Sequence, residues 1–135
     1  MYKTILVPVE FDHTPTTARA LEIGRHLLDE GGRLIALHVV APVPTYVSQF
    51  IPEMQLIEVR NQVEEAFRAE LGDTEGVEMA LIDGTPGAAI VDYARRQKVE
   101  CIVIASHRPG LSDILLGSTA SRVVRHAECS VHVVR

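Results

Sequence analysis

Three side chains that can donate hydrogen bonds to an anion follow the apolar run at residues 101–105: Ser106, His107 and Arg108. Farther on, Gly117 leads into the hydroxyl residues Ser118 and Thr119, which open a helical pattern. The start of a helix favours an anion through its free N–H groups and its dipole, and glycine lets a ligand approach the backbone. Arg and hydroxyl groups also donate to phosphate directly. This combination is typical of a phosphate-binding site.

The same residues have a simpler interpretation that involves no ligand. Ser118 would then cap the helix, Gly117 would form a turn, and His107 and Arg108 would lie in a solvated loop. The residues alone leave both interpretations open. His107 is the one candidate for a general base at neutral pH, which is weak support for an enzyme.

Strand and helix patterns alternate along the chain and must position these side chains. Continuous apolar runs predict strands that are covered on both faces, whereas an alternating run predicts a strand nearer the sheet edge. The continuous runs are at 4–9, 34–40 and 101–105, the alternating run is at 77–82, and a short final strand is at 131–134. Helical stripes lie between them at 20–28, 59–71, 89–94 and 123–127.

Several residues mark where these helices begin and end. Thr14-Pro15 and Thr85-Pro86 each pair a good N-cap with proline at the first helical position, and Gly31-Gly32 is expected to end the first helix. The stretch at 41–52 is rich in proline, which excludes a regular helix or central strand there. A lid over a ligand, a contact for another subunit and an ordinary connection all remain open for this stretch.

The alternation predicts a single α/β domain over residues 1–135, with a mostly parallel sheet and right-handed crossovers. Ligands of such sheets bind outside the carboxyl ends of the strands, where the strand order reverses. The segments that follow the first, second and fourth strands are 8–14, 39–52 and 105–119. Any ligand site is therefore expected there.

Composition excludes several classes of protein. With 135 residues, 47% of them hydrophobic and 23% charged, the chain can build one core and is not disordered. The net charge of −5 and the absence of Trp disfavour nucleic-acid binding. Because no stretch approaches the roughly 20 apolar residues of a membrane span and no signal-peptide layout opens the chain, we expect a cytoplasmic protein without membrane contact.

Cysteines and histidines give no metal-binding signature. Cys101 and Cys129 are expected to be small buried side chains and not a disulfide or a zinc site. Four histidines without metal-ligand spacing are expected at the surface or the sheet edge: His13, His26, His126 and His132.

Other nucleotide-binding and signalling folds fit less well. The glycine fingerprint of dinucleotide enzymes and the P-loop are both missing after the first strand. A phospho-receiver domain would have this size, acids such as Glu10 and Asp12 after the first strand, Asp83 near the third and Ser106 after the fourth. It also needs a lysine after the fifth strand, where this chain reaches Arg135.

The chain is similar to the C-terminal half of the universal stress proteins in three motifs: IVIASHR (102–108), LLGS (115–118) and VVRHAECSVHVVR (123–135). Two motifs nearer the start of the chain, YKTILVPV (2–9) and LHV (37–39), also fit this family. The chain resembles this family over its whole length, and ASHRP (105–109) resembles its small single-domain bacterial type. The resemblance implies a five-stranded parallel sheet in the order 3-2-1-4-5 with helices on both faces, a Rossmann-like fold of the adenine nucleotide alpha hydrolase-like kind.

The resemblance also implies a homodimer, or a tetramer built from it, whose last strands pair across a twofold axis through Val131 and Val133. The residues support this independently, because an apolar edge strand without protection invites pairing. The sequence identifies no other protein partner.

Family members that hold ATP carry Gly-x-x-Gly, nine residues, and then Gly-Ser or Gly-Thr, and this chain departs from that pattern. The two glycine positions are Ala105 and Arg108, and eight residues separate Arg108 from the retained Gly117-Ser118. Alanine is a small change. The side chain of Arg108 either fills the phosphate space or contributes a guanidinium to it.

The resemblance supplies further site residues. Glu10 stands where the family has an Asp near the adenine and ribose, and Val39 matches the residue that flanks the adenine. Glu10 can also be read as a solvated acid and Val39 as a core valine. The residues implied for nucleotide binding are Pro8, Val9, Glu10, Val39, Ile104, Ala105, Ser106, His107, Arg108, Gly117, Ser118 and Thr119.

Two functions are therefore open. The first is a regulatory module of the stress response that binds an adenine nucleotide, ATP with or without Mg²⁺, and at most hydrolyses it slowly or phosphorylates itself. The second is a stress-response interaction protein with a vestigial pocket that binds no nucleotide. Neither interpretation assigns catalytic or metal-ligating residues.

Overall fold

Five strands and five helices lie among residues 1–11, 14–72, 75–106 and 116–135, which the computed structural model describes. The strands are β1 (Tyr2–Pro8), β2 (Leu28–Val40), β3 (Val77–Asp83), β4 (Cys101–Ala105) and β5 (Ser130–Val134). The helices are α1 (Thr14–Leu27), α2 (Thr45–Ser48), α3 (Glu53–Leu71), α4 (Pro86–Arg96) and α5 (Ser118–His126).

The strands form one parallel sheet in the order β3-β2-β1-β4-β5, which confirms the predicted fold class. β1 lies at the centre, and its residues Ile5, Leu6 and Val7 are completely buried. β3 lies at one edge, as its alternating pattern predicts, and β5 lies at the other.

Helices cover both faces of the sheet, which explains the continuous apolar runs of the central strands. Ile5 and Val7 belong to a core shared with α1 and α3, where Phe67 is its largest fully buried side chain. Leu6 faces the opposite way, into a core shared with α4 and α5 that includes Val123. Because successive strand residues point to opposite faces, a strand covered on both sides must be apolar at every position.

A salt bridge links the side chains of β2 and the edge strand β3. Arg33 Nε donates to Glu78 Oε2 at 2.8 Å, and this hydrogen bond lowers the pKa of the Glu78 carboxyl below its ordinary value. The pair therefore stabilises the fold above the pKa of the unfolded carboxyl, and the contribution is lost as pH falls through the lower folded value. Both side chains are about half exposed, so the contribution is small.

The prediction that α1 ends at Gly31-Gly32 is wrong, because α1 ends at Leu27 and both glycines lie within β2. The pairing of β1 with β2 shifts there, from Tyr2 opposite Leu28 to Thr4 opposite Arg33. Gly31 has a φ of 77°, and a Cβ on Gly32 would lie 2.8 Å from the Lys3 carbonyl oxygen. The glycines thus accommodate an irregularity between two strands and do not cap a helix.

The prediction that proline excludes a regular helix from residues 41–52 is also wrong, since α2 lies within this stretch. Pro44 directly precedes α2 and Pro52 directly precedes α3, positions where a missing N–H costs no intrahelical hydrogen bond. The Pro44 carbonyl oxygen accepts hydrogen bonds from Val47 N and Ser48 N, both at 2.9 Å. In this segment Pro44 and Pro52 are the N-cap residues of helices.

Other expectations on the helices hold in part. Thr85 is the N-cap of α4 and Pro86 its first residue, although the Thr85 side chain makes no capping hydrogen bond. The predicted cap at Thr14 involves a side chain outside the described part of the chain. α3 begins at Glu53, earlier than its predicted stripe, and Val59, expected in that stripe, is exposed.

The cysteines and most of the histidines lie where the sequence places them. Cys101 is buried and Cys129 half-buried, both thiols are free, and burial raises the pKa of each. His26, His126 and His132 are exposed, and His13 lies outside the described residues. Within the described ranges, no three His, Cys, Asp or Glu side chains are grouped to hold a metal ion. Among the described helices, none combines the length and apolar composition needed to cross a bilayer.

Candidate functional site

A cavity of about 570 Å³ opens where the carboxyl ends of β1, β2 and β4 meet the first turns of α1, α4 and α5. β1 and β4 are neighbours, but the chain leaves β1 for β2 on the other side, so the strand order reverses at this point. Crevices at such reversals are the usual ligand sites of parallel sheets, and the volume suits a small organic ligand.

Ten of the twelve predicted site residues line this one cavity: Pro8, Val9, Glu10, Val39, Ile104, Ala105, Ser106, Gly117, Ser118 and Thr119. The other two, His107 and Arg108, lie outside the described residues. Residues that are far apart in sequence are thus brought together by the parallel sheet.

Backbone hydrogen bonds fix the wall between β4 and α5. Ser106 is 2% exposed, its N–H donates to the Val134 carbonyl oxygen at 2.9 Å, and its carbonyl oxygen accepts from Gly117 N at 2.6 Å. Gly117, directly before α5, is therefore held against the end of β4. This places the start of α5 directly on the cavity.

Gly117, and not Ser118, is the N-cap of α5, so the interpretation of Ser118 as a simple cap is wrong. Ser118 is the first helical residue, and no acidic side chain lies in the first turn. The first N–H groups of a helix have no partner within it, and they carry the positive end of its dipole. With the hydroxyls of Ser118 and Thr119, this turn can bind an anionic group.

An aromatic cluster that was not predicted from the sequence contributes Phe11 and His38 to another part of the wall. Phe11 stacks on His38 with ring centroids 4.0 Å apart, and Phe67 meets the His38 ring edge-on at 5.8 Å. His38 Nδ1 lies 2.8 Å from the Val9 carbonyl oxygen, which can only accept, so the Nδ1 carries the proton. The signal for this cluster was a histidine within an apolar strand run, together with an aromatic residue just past the preceding strand.

Two other lining residues add polar groups. Glu10 is half-buried at the end of β1, and it is the only charged side chain among the described residues that line the cavity. Thr17, on the first turns of α1, is 6% exposed and donates to Glu70 Oε1 at 3.3 Å.

The cavity combines two kinds of surface. Apolar side chains from the strand ends, including Pro8, Val39 and Ile104, form one kind, and the hydroxyls and N–H groups at the start of α5 form the other. This arrangement suits a ligand with a flat apolar part and an anionic part.

The sequence model described as the Universal stress protein family matches residues 1–135 of the chain. The chain belongs to the universal stress protein family. A universal stress protein of Thermus aquaticus is 31% identical over 140 residues, which span 100% of both chains. The resemblance identified from the motifs is therefore confirmed, and the stress-response class with it.

Solved universal stress protein structures agree with the fold. Universal stress protein UspA from Lactobacillus plantarum has a TM-score of 0.75 and 26% identity, with 99% of this chain and 98% of that chain covered. A universal stress protein in complex with cAMP has a TM-score of 0.62 and 24% identity, covering 99% and 97%. A family protein from Arabidopsis thaliana with AMP bound has a TM-score of 0.57 and 19% identity, covering 98% and 90%. At these lower identities the likeness extends to the fold alone.

Proposed function

We propose that this universal stress protein binds an adenine nucleotide, ATP with or without Mg²⁺, in the cavity at the ends of β1 and β4. The observation that carries the proposal is that Gly117, Ser118 and Thr119 line the same cavity as the apolar ends of β1 and β2. Two fold relatives contain adenine nucleotides, cAMP and AMP, which supports this ligand class.

The nucleotide's parts match the two kinds of surface. The phosphates lie over the first turn of α5, where N–H groups and the Ser118 and Thr119 hydroxyls donate to them. The adenine lies against Val39 and Pro8, and the Glu10 carboxylate accepts a hydrogen bond from a ribose hydroxyl. The apolar walls exclude water from the adenine base, while the charged phosphates lie at the amino terminus of α5.

Calorimetric titration with ATP, ADP and AMP, each with and without Mg²⁺, tests the proposal. We expect saturable heat and a rise in the thermal midpoint, because a ligand that binds only the folded state stabilises it. GTP is the matched control, since it carries the same phosphates and ribose on a different base. No heat and no thermal shift at millimolar adenine nucleotide would contradict nucleotide binding and favour the interaction protein with a vestigial pocket.

We also propose that two copies associate through β5. This strand pairs with β4 on one side, and among the described strands it has no neighbour on the other. Its free edge offers backbone N–H and C=O groups to a second copy, and Val131 and Val133 are apolar side chains on it. A twofold axis can pair two such edges with each other.

Val133→Lys is expected to halve the mass measured by light scattering, because it places a charge on both sides of the paired edge. The same substitution at Val124, which is 44% exposed on α5, is the control and should leave the mass unchanged. A folded Val133→Lys variant with the wild-type mass would exclude association through this strand.

A further inference from the structure

Helix α3 buries very little of its length against the rest of the fold. Of its nineteen residues, only Phe67 and Leu71, near its carboxyl end, are buried, and none of the four residues of α2 is. The stretch from α2 to the middle of α3 instead exposes large apolar side chains: Tyr46 is 71% exposed, Phe50 82%, Met54 82% and Ile57 54%. We call these four residues the α2–α3 apolar surface.

This surface has the apolar area of a protein interface. The four side chains leave on the order of 500 Å² in contact with solvent, given about 200 Å² for an aromatic side chain. A standard interface buries about 800 Å² on each partner, of which roughly 60% is apolar, or about 480 Å². An apolar area of this size is comparable to the largest patch on a typical monomer, about 300–600 Å², and such patches are often functional.

We propose that the α2–α3 apolar surface binds the same surface on a second copy of this chain. Residues 41–52 contain no Asp, Glu, Lys or Arg, so the half of the surface around Tyr46 and Phe50 is uncharged, and Glu53 is the one charged residue within the span 46–57. A twofold interface places each patch against itself, and the uncharged half around Tyr46 and Phe50 can meet its own copy without like-charge repulsion. An anionic lipid surface is disfavoured, because Glu53 lies within the patch, Glu58 lies next to it and the net charge is −5.

The surface is separate from the β5 edge. Arg60 Nη1 donates to Asp83 Oδ1 at 2.8 Å and fixes the middle of α3 to the end of β3, the edge strand opposite β5. A protomer can therefore use both contacts at once. Together with pairing through β5, contact through the α2–α3 apolar surface gives a tetramer, whereas either contact alone gives a dimer.

The double variant Phe50→Glu/Met54→Glu tests the proposal by sedimentation and light scattering across a wide range of protein concentration. Both positions are highly exposed, so the variant is expected to fold like the wild type, as checked by circular dichroism. Its mass should be half that of the wild type, because four acidic groups would meet across the twofold axis. Gln62→Glu/Ala69→Glu adds the same charges at exposed positions farther along α3 and should keep the wild-type mass.

The Val133→Lys variant distinguishes the two contacts. If the α2–α3 apolar surface pairs with itself, Val133→Lys still forms a dimer, and adding Phe50→Glu/Met54→Glu to it gives a monomer. The proposal is wrong if Phe50→Glu/Met54→Glu has the wild-type mass at every concentration, if Val133→Lys alone is a monomer, or if the wild type is itself a monomer. A surface that binds another protein or a lipid would give one of these results.

Discussion

Gly117→Val is expected to weaken adenine-nucleotide binding by at least about a hundredfold, which corresponds to ~2.7 kcal/mol. Gly117 lines the cavity directly before the first turn of α5, where the phosphates are proposed to lie. A branched side chain would occupy space next to the N–H groups that hold them. Its own backbone is not the obstacle, because φ of −62° and ψ of 161° are ordinary for valine.

The same calorimetric titration measures this effect, with Gly117→Ala as the graded control. Alanine adds one methyl group, so its loss of affinity should be smaller than that of valine. Valine keeps the N–H that donates to the Ser106 carbonyl oxygen, and the thermal midpoint without ligand should therefore stay close to that of the wild type. A Gly117→Val protein that binds ATP with wild-type affinity would show that the phosphates lie elsewhere.

Phe67→Ala is expected to lower the free energy of unfolding by about 3–5 kcal/mol, a large share of the roughly 5–15 kcal/mol of a typical domain. Phe67 has no exposed surface and is the largest fully buried side chain described. It packs between α3 and the sheet and contacts the rings of Phe11 and His38. Its removal leaves a cavity behind one wall of the candidate site.

Urea denaturation gives the free energy of unfolding for this variant and its controls. Phe67→Leu preserves most of the volume and should lose less than about 1.5 kcal/mol. Val124→Ala, at a partly exposed position on α5, should change stability by no more than about 0.5 kcal/mol. A loss below about 1 kcal/mol in Phe67→Ala would mean that α3 is not anchored to the sheet through this ring.

The strands could be predicted because burial leaves a direct trace in the sequence. A central strand such as β1 is covered on both faces and must be apolar throughout, while β3, at the edge, alternates. The positions of the candidate residues followed from the same rule, since parallel strands bring their carboxyl ends to one edge. The family resemblance added the strand order and the particular residues.

What the sequence did not predict depends on contacts between distant residues or on local geometry. The stacking of Phe11 on His38 joins the end of β1 to β2 and has no short-range pattern. Gly31-Gly32 has the composition of a helix end but serves an irregular strand pairing with β1. The start of α3 at Glu53 was not predicted, because its first turns bury no apolar stripe: Met54 and Ile57 are exposed.

The Ser106 backbone links the last residue of β5 to the residue directly before α5. Its N–H donates to Val134, near the end of the chain, and its carbonyl oxygen accepts from Gly117 at the mouth of the cavity. Deleting Val134 together with Arg135 would remove the acceptor of the buried Ser106 N–H, a loss that destabilises by about 1–3 kcal/mol. Val134 is thereby part of the scaffold of the cavity, although it does not line it.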